Sequence, residues 1–305
     1  MYAPYPSAPY LTQPRRPGAQ APMSTPSAAS ASALLNTTVA FIGGGNMANA
    51  IMGGLLRQGL APSRILVVEP FAATRQRLEQ DYGVVTLAQA DARLSATQMV
   101  VWAVKPQNFK EASAQASAYT QNALHLSVAA GIRSDSIAQW LGSQRVVRAM
   151  PNTPALVGQG MTALFARAAV SAADQALVQQ VVASTGEHTW VQAEAQLDAV
   201  TALSGSGPAY VFYFLESMVQ AGVTLGLPPE QARQLAVSTF AGAAELARQS
   251  SEPLELLRER VTSKGGTTYA ALVCMQAADI KEHFMRAIQA ANARAVELGD
   301  EFGTT

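Results

Sequence analysis

Two stretches of this chain carry residue types and spacings suited to holding an anion. Near the C-terminus the run Thr262-Ser263-Lys264-Gly265-Gly266-Thr267-Thr268 stands immediately before the amphipathic run Tyr269-Ala270-Ala271-Leu272-Val273-Cys274-Met275. Glycines and hydroxyls at the start of a helix make an anion cradle, because the first amides of a helix have no internal partner and the helix dipole favours negative charge there. At the other end, Gly43-x-Gly45-x-x-Ala48 follows a β-prone run, opens a helical pattern and has Glu69 at the end of the next strand. That arrangement is a dinucleotide fingerprint. Gly43 allows the tight turn, Gly45 lets amides approach a pyrophosphate, Ala48 lets the helix lie close to the sheet, and Glu69 accepts from ribose hydroxyls. One site for a cofactor and another for an acidic substrate is the chemistry these residues suggest.

The elements that must position these groups follow from hydrophobic pattern. Short β-prone or apolar runs at Thr37–Ile42, Ile65–Val68, Val84–Val85, Met99–Val104, Leu124–Val128 and Arg145–Met150 alternate with helical patterns at Met47–Leu56, Arg75–Tyr82, Phe109–Tyr119 and Ser136–Leu141. Continuous apolar strands alternating with helices predict a parallel sheet covered on both faces. After about Leu197 only helices are expected: Pro208–Gly226, Pro228–Arg248, Pro253–Val261, Gly266–Ala277 and Ile280–Leu298. The fold class read from this is an α/β N-terminal dinucleotide-binding domain of Rossmann type followed by an all-α C-terminal domain. The expected division is a disordered extension over 1–35, a dinucleotide-binding domain over 36–196, and a helical substrate-binding and dimerisation domain over 197–300. The extension is rich in Pro, Ala and Ser, with Arg15 and Arg16 as its only charges, a composition that does not offset its ordering entropy. A transit peptide and a functionless stretch upstream of a start at Met23 are the two readings of it.

Composition narrows the partners. The 305 residues balance 21 basic against 21 acidic side chains with no basic block, which argues against nucleic acid. The weakly charged stretch from Pro208 to Leu227 is interrupted by Glu216, so a buried or subunit-interface helix is expected rather than a membrane span. A single cysteine, Cys274, fits a reducing compartment and a cytoplasmic location. No metal site is read.

Small residues and one lysine at the strand ends, Ala103-Val104-Lys105-Pro106 and Ala129-Ala130-Gly131, stand where ligands of open α/β sheets bind. Lys105 either touches ribose or phosphate or is simply solvated. A carboxylate at Glu69 repels a 2′-phosphate and favours NADH, whereas Arg75 or Arg64 would neutralise such a phosphate.

The ordered series Phe41-Ile42-Gly43-Gly44-Gly45-Asn46-Met47-Ala48, Ala103-Val104-Lys105-Pro106, Met150-Pro151-Asn152-Thr153-Pro154, Leu203-Ser204-Gly205-Ser206-Gly207-Pro208-Ala209-Tyr210 and Thr262–Thr268 closely resembles pyrroline-5-carboxylate reductase, from about Val39 to Leu298. The resemblance implies reduction of the cyclic imine 1-pyrroline-5-carboxylate to L-proline, the last step of proline biosynthesis, with hydride from NADPH or NADH. It also implies a small imino-acid substrate and a homodimer through the C-terminal helices, assembled into decamers in several members. Cofactor contacts fall by the same match on Ile42, Gly43, Gly45, Asn46, Met47, Glu69, Ala103–Pro106 and Ala129–Gly131. Ser263, Gly265, Gly266 and Thr267 would hold the carboxylate, and Thr268 would hydrogen-bond the ring nitrogen as the catalytic residue. Two departures stand out: Lys264 where the family often has Pro, and Gln89-Ala90-Asp91 where an Asn often contacts adenosine. Two rivals remain at this level. One is a β-hydroxyacid dehydrogenase type of reductase, for which Lys281 would have to serve; the other is a nucleotide sensor without turnover.

Overall fold

The computed structural model describes residues 34–303. Eight strands form one sheet in the order β3-β2-β1-β4-β5-β6-β7-β8. The strands are β1 (Val39–Ile42), β2 (Ile65–Val68), β3 (Val85–Leu87), β4 (Met99–Trp102), β5 (Leu124–Ser127), β6 (Val146–Met150), β7 (Gly160–Ala166) and β8 (Gly186–Trp190). The order reverses beside β1, which creates a crevice at the carboxyl ends of β1 and β4. Helices α1 (Asn46–Arg57), α2 (Ala72–Tyr82), α3 (Phe109–Thr120), α4 (Ser134–Leu141) and α5 (Ala172–Ala183) connect the strands.

The central strands are buried along their whole length, so they carry apolar side chains on both faces. Phe41, Ile51, Met52, Leu55 and Leu78 fill one side, and Trp102, Phe109, Ile137 and Leu141 the other. That burial is why the first strands read as unbroken hydrophobic runs.

Several expectations are corrected. The sheet is not wholly parallel: β7 runs antiparallel to β6. The segment after Met150 carries β7, α5 and β8, whose sparse patterns gave no clear period; β8 is an edge strand, half exposed throughout. The third strand begins one residue later and runs to Leu87, and β4 stops at Trp102; the Ala103 N–H still donates to the Ile42 carbonyl at 2.9 Å, and Ala103 and Val104 line the crevice. Of the extension expected to be disordered, 1–33 lies outside the described residues. Leu34 does not fit that expectation, because it is 5% exposed and packs in the core.

From Gln196 onward the chain is helical: α6 (Gln196–Val200), a π turn (Thr201–Gly205), α7 (Gly207–Thr224), α8 (Pro229–Gln249), α9 (Leu254–Arg260), α10 (Thr267–Ala277) and α11 (Ile280–Gly303). Prolines at the first turns of α7 and α8 suit the fixed φ and missing N–H of that residue. The helices α7 and α8 lie close, with Gly222 facing Ala232 so tightly that a Cβ would sit 3.0 Å from the Ala232 Cβ. No residue of α7 is buried within one chain, although the helix is apolar over most of its length. Among the described residues no helix is long and apolar enough to cross a membrane.

One buried polar pair lies within the sheet. The Trp102 Nε1–H donates to His125 Nδ1 at 3.2 Å, and both rings are fully enclosed. Burial, reinforced by the nearby Arg145 charge, holds the His125 imidazole at about 4 rather than 6.5. The unfolded chain therefore takes up a proton that the folded chain refuses. Stability from this group is complete above pH 6.5 and is lost as pH falls towards 4, on the order of 3 kcal/mol in all. Urea unfolding at pH 7 and pH 4.5 is expected to show a steeper loss in the parent than in His125→Gln, which keeps an acceptor for Trp102 and does not titrate. Equal losses would remove His125 as the source.

Candidate active site

The crevice at the carboxyl ends of β1, β2 and β4 encloses about 490 Å3. Its floor is the turn Ile42-Gly43-Gly44-Gly45. Gly43 has φ +97, and a Cβ there would stand 2.7 Å from the Ala103 carbonyl oxygen, so the turn backs directly onto the neighbouring strand. Gly45 caps α1 in an extended conformation, and a Cβ on it would meet nothing within 4 Å. The space above Gly45 is therefore open, at a helix N-terminus whose first amides lack helical partners. This is the room that a pyrophosphate requires. Ala48 is fully buried against the sheet, as the close packing of α1 demands.

Glu69 forms the side wall and is only 7% exposed. The Gly44 N–H donates to its Oε2 at 2.9 Å, and the Phe71 N–H donates to its Oε1 at 3.0 Å. The carboxylate thus ties the glycine turn to the loop after β2. Each oxygen keeps a further lone pair for a hydroxyl donor. Arg75 donates through Nη1 to the carbonyls of Glu69 and Pro70, both at 2.8 Å, which fixes the same loop. Arg64 is excluded as a phosphate ligand: it precedes β2, at the opposite edge of the sheet, and donates to the Asn36 carbonyl at 2.7 Å.

Other expected cofactor residues divide. Ala103, Val104 and Lys105 line the crevice with Ile42, Gly43 and Gly45. Asn46, Met47 and Pro106 do not line it: Met47 turns into the core, Asn46 is exposed in the first turn of α1, and Pro106 opens a short 3-10 turn. Ala129, Ala130 and Gly131 follow β5, one strand beyond β4, outside this lining. Sequence reasoning missed Phe71, which is 71% exposed at the rim, and Asn108 just before α3 with Glu111, Ala112 and Gln115 on it. Their spacing of three and four residues was the available signal. In the Gln89-Ala90-Asp91 stretch, Ala90 lines the wall, and Asp91 turns away to cap a 3-10 turn and pair with Arg93 at 2.5 Å.

The stretch expected to cradle a second anion, 262–268, is largely exposed. Gly265 adopts φ +74, and Gly266 caps α10. One expectation is corrected here: the Gly266 N–H donates to the Ser263 carbonyl at 3.0 Å, so it is not an amide open to a ligand. The open amides are those of the first turn after it, beginning at Thr267. Within one chain no residue from 262 to 268 lines the nucleotide crevice. Two other motifs do meet. Asn152 donates through Nδ2 to the Ser204 Oγ and carbonyl at 3.2 and 3.3 Å, while its Oδ1 accepts from the Met161 N–H at 2.9 Å. A second cavity, lined by Asn152, Ser204, Pro208 and Tyr210 and by aromatic side chains of α7 and α11, opens beside them.

Comparison with known proteins agrees with this layout. Residues 194–298 match the family described as pyrroline-5-carboxylate reductase dimerisation, and residues 38–131 match one described as NADP oxidoreductase, coenzyme F420-dependent. The pyrroline-5-carboxylate reductase of Pseudomonas aeruginosa is 42% identical over 87% of this chain and 98% of its own length. The chain belongs to the pyrroline-5-carboxylate reductase family. Among solved structures, the family member from Coxiella burnetii superposes with a TM-score of 0.80 at 37% identity, covering 86% of this chain and 98% of that one. The member from Plasmodium falciparum, solved with NADP bound, gives 0.78 at 27% identity, covering 87% and 98%.

The two glycines separate architecture from binding. Gly43→Ala places a side chain against backbone at positive φ and is expected to lower both Tm and cofactor affinity. Gly45→Ala is expected to leave Tm within about a degree and to weaken NADH or NADPH binding by roughly tenfold, about 1.4 kcal/mol, in a fluorescence titration. Unchanged affinity in Gly45→Ala would mean that no ligand uses that space.

Proposed function

We propose that this chain reduces 1-pyrroline-5-carboxylate to L-proline with NADH or NADPH, the last step of proline biosynthesis. The observation that carries the reading is the pairing of an open glycine turn beneath a nucleotide-sized crevice with a second helix-tip anion site, in a chain whose relatives bear that activity in name.

When bound, the nicotinamide cofactor supplies the hydride. The turn at Gly43–Gly45 and the N-terminus of α1 receive its pyrophosphate, and Glu69 accepts from the adenosine ribose. Ala129–Gly131 lie on the side of β4 away from the adenosine wall and flank the nicotinamide. The cradle at α10 takes the substrate carboxylate on its first open amides, with Ser263 and Thr267 hydroxyls beside them. Thr268 orients the ring nitrogen. The substrate enters as a protonated imine, so the hydride adds to the imine carbon and the nitrogen keeps its proton as the amine forms. The step needs no strong general base, and positioning supplies most of the acceleration.

The cradle and the crevice meet across a subunit interface in this reading. Its support is the unburied apolar surface of α7, where Phe212 and Tyr213 are 62% and 67% exposed, with further exposed apolar residues on α8, α10 and α11. Apolar area of that extent is covered in a stable protein. The division at 36–196 and 197–300, a homodimer through the C-terminal helices and a cytoplasmic location belong to the same proposal.

The reading is tested by following oxidation of NADH and NADPH with pyrroline-5-carboxylate; no oxidation with either would refute it. A rate with 3-hydroxy acids and none with the imine would favour the dehydrogenase rival. Thr268→Ala is expected to lower kcat by tenfold or more while cofactor Kd stays within twofold; an unaltered kcat would remove Thr268 from the mechanism. Glu69→Ser gives up two amide acceptors, so affinity for both cofactors is expected to fall. The informative quantity is the kcat/KM ratio, which should move towards NADPH by at least tenfold as the charge opposing a 2′-phosphate disappears. A constant ratio would show that Glu69 does not read the ribose.

A further inference from the structure

The loop that leaves β5 faces two ways. Its first residues, Ala129–Gly131, stand at the end of the sheet where the nicotinamide is placed above. Its next residues, Arg133 and Ser134, hold the start of the helical domain and the segment that leads into it. Arg133 Nη1 donates to Asp198 Oδ2 at 2.8 Å, and Asp198 lies buried on α6. Ser134, the first residue of α4, donates through its N–H and its Oγ to the two oxygens of Glu194, each at 2.6 Å. Arg148, buried on β6, donates to Glu194 Oε1 at 2.7 Å. Burial pushes the Arg148 guanidinium down from its ordinary value, and the Glu194 carboxylate opposes that shift. Removing Arg133 or Glu194 would leave its buried partner, Asp198 or Arg148, short of a counter-charge.

The last helix closes on the same loop. Gly299 of α11 passes the Arg133 guanidinium so closely that a Cβ would sit 2.5 to 2.7 Å from its Nη2, Cζ and Nε. Phe302 and Leu298 lie against Gly131, at 3.2 and 3.4 Å from where its Cβ would be. One short loop is thereby fixed by α6 on one side and by the end of α11 on the other.

We propose that Arg133, clamped between Asp198 and Gly299, is a positioning residue that fixes the helical domain against the nicotinamide end of the cofactor site. Its guanidinium is bonded to Asp198 and lines neither cavity described above. It sets how the helical half stands on the sheet and so, through the subunit pairing proposed above, how the crevice faces the cradle; a misplacement near 1 Å at the reacting atoms can cost on the order of a hundredfold in rate. The proposal rests on the functional reading above, and its test has one arm that does not.

In that arm, amide hydrogen exchange is measured on the full chain with and without saturating NADPH. Binding is expected to slow exchange in α6 and in the last turn of α11 in the parent, and not in Arg133→Gln or Asp198→Asn. Equal protection in parent and variants would overturn the latch. In the second arm, both variants are expected to keep cofactor Kd within twofold and to lose tenfold or more in kcat. The isotope effect with 4-deuterated cofactor should rise, and the double variant should be no slower than either single one. A fall in Tm with kcat and isotope effect unchanged would assign the pair a structural role only. Gly299→Ala, a favourable change for a helix interior, keeps the fold should Arg133→Gln not; it displaces the guanidinium and is expected to lower kcat likewise. If the parent itself fails to turn over the imine, the functional reading falls, and the exchange arm still decides the latch.

Discussion

The carboxylate of Glu69 is the contact on which the nucleotide crevice depends. It bridges the Gly44 amide and the Phe71 amide, and so joins the turn after β1 to the loop after β2. Hydrogen bonds to a charged acceptor are worth about 1.5 to 3 kcal/mol each. They also stop the glycine turn from collapsing into the space above Gly45. Gly44 has no room for a side chain below, where a Cβ would stand 2.7 Å from Leu78 Cδ1. The crevice is kept open by side chains already in place, so an anion arriving there meets oriented amides and little reorganisation.

The helical half obeys a different constraint. Its apolar residues are too many for one chain to cover, and α7 has none that is buried. Aromatic contacts within the chain, such as Tyr210 and Phe214 edge-on to Phe284 at 5.7 and 5.4 Å, shape a face without closing it. A family match described as dimerisation spans this same segment. The exposed apolar surface coincides with that matched segment.

Between the halves, charge takes over from apolar packing. Arg133, Arg148, Glu194 and Asp198 form an enclosed ionic set where the sheet gives way to helices. Such a set contributes less to stability than to a single defined geometry. A defined geometry is what hydride transfer between two separately bound molecules requires.

The sequence alone determined the parts that rest on local signals. The glycine spacing, the small residue at Ala48, the acid at the end of β2 and five of the C-terminal helices are each legible, because backbone sterics and hydrophobic period act over a few residues. The β7–α5–β8 segment was not legible, because its strands gain their place from partners rather than from their own pattern. Only the tertiary structure decided that Glu69 is already bound by two amides, that the Gly266 amide is taken by Ser263, and that Asn108, Glu111 and Gln115 face the crevice. It alone brought Arg133 to Asp198 and Gly299, residues more than sixty positions apart in the chain. Which donors are spent and which remain open depends on contacts between distant segments, and no local pattern encodes those.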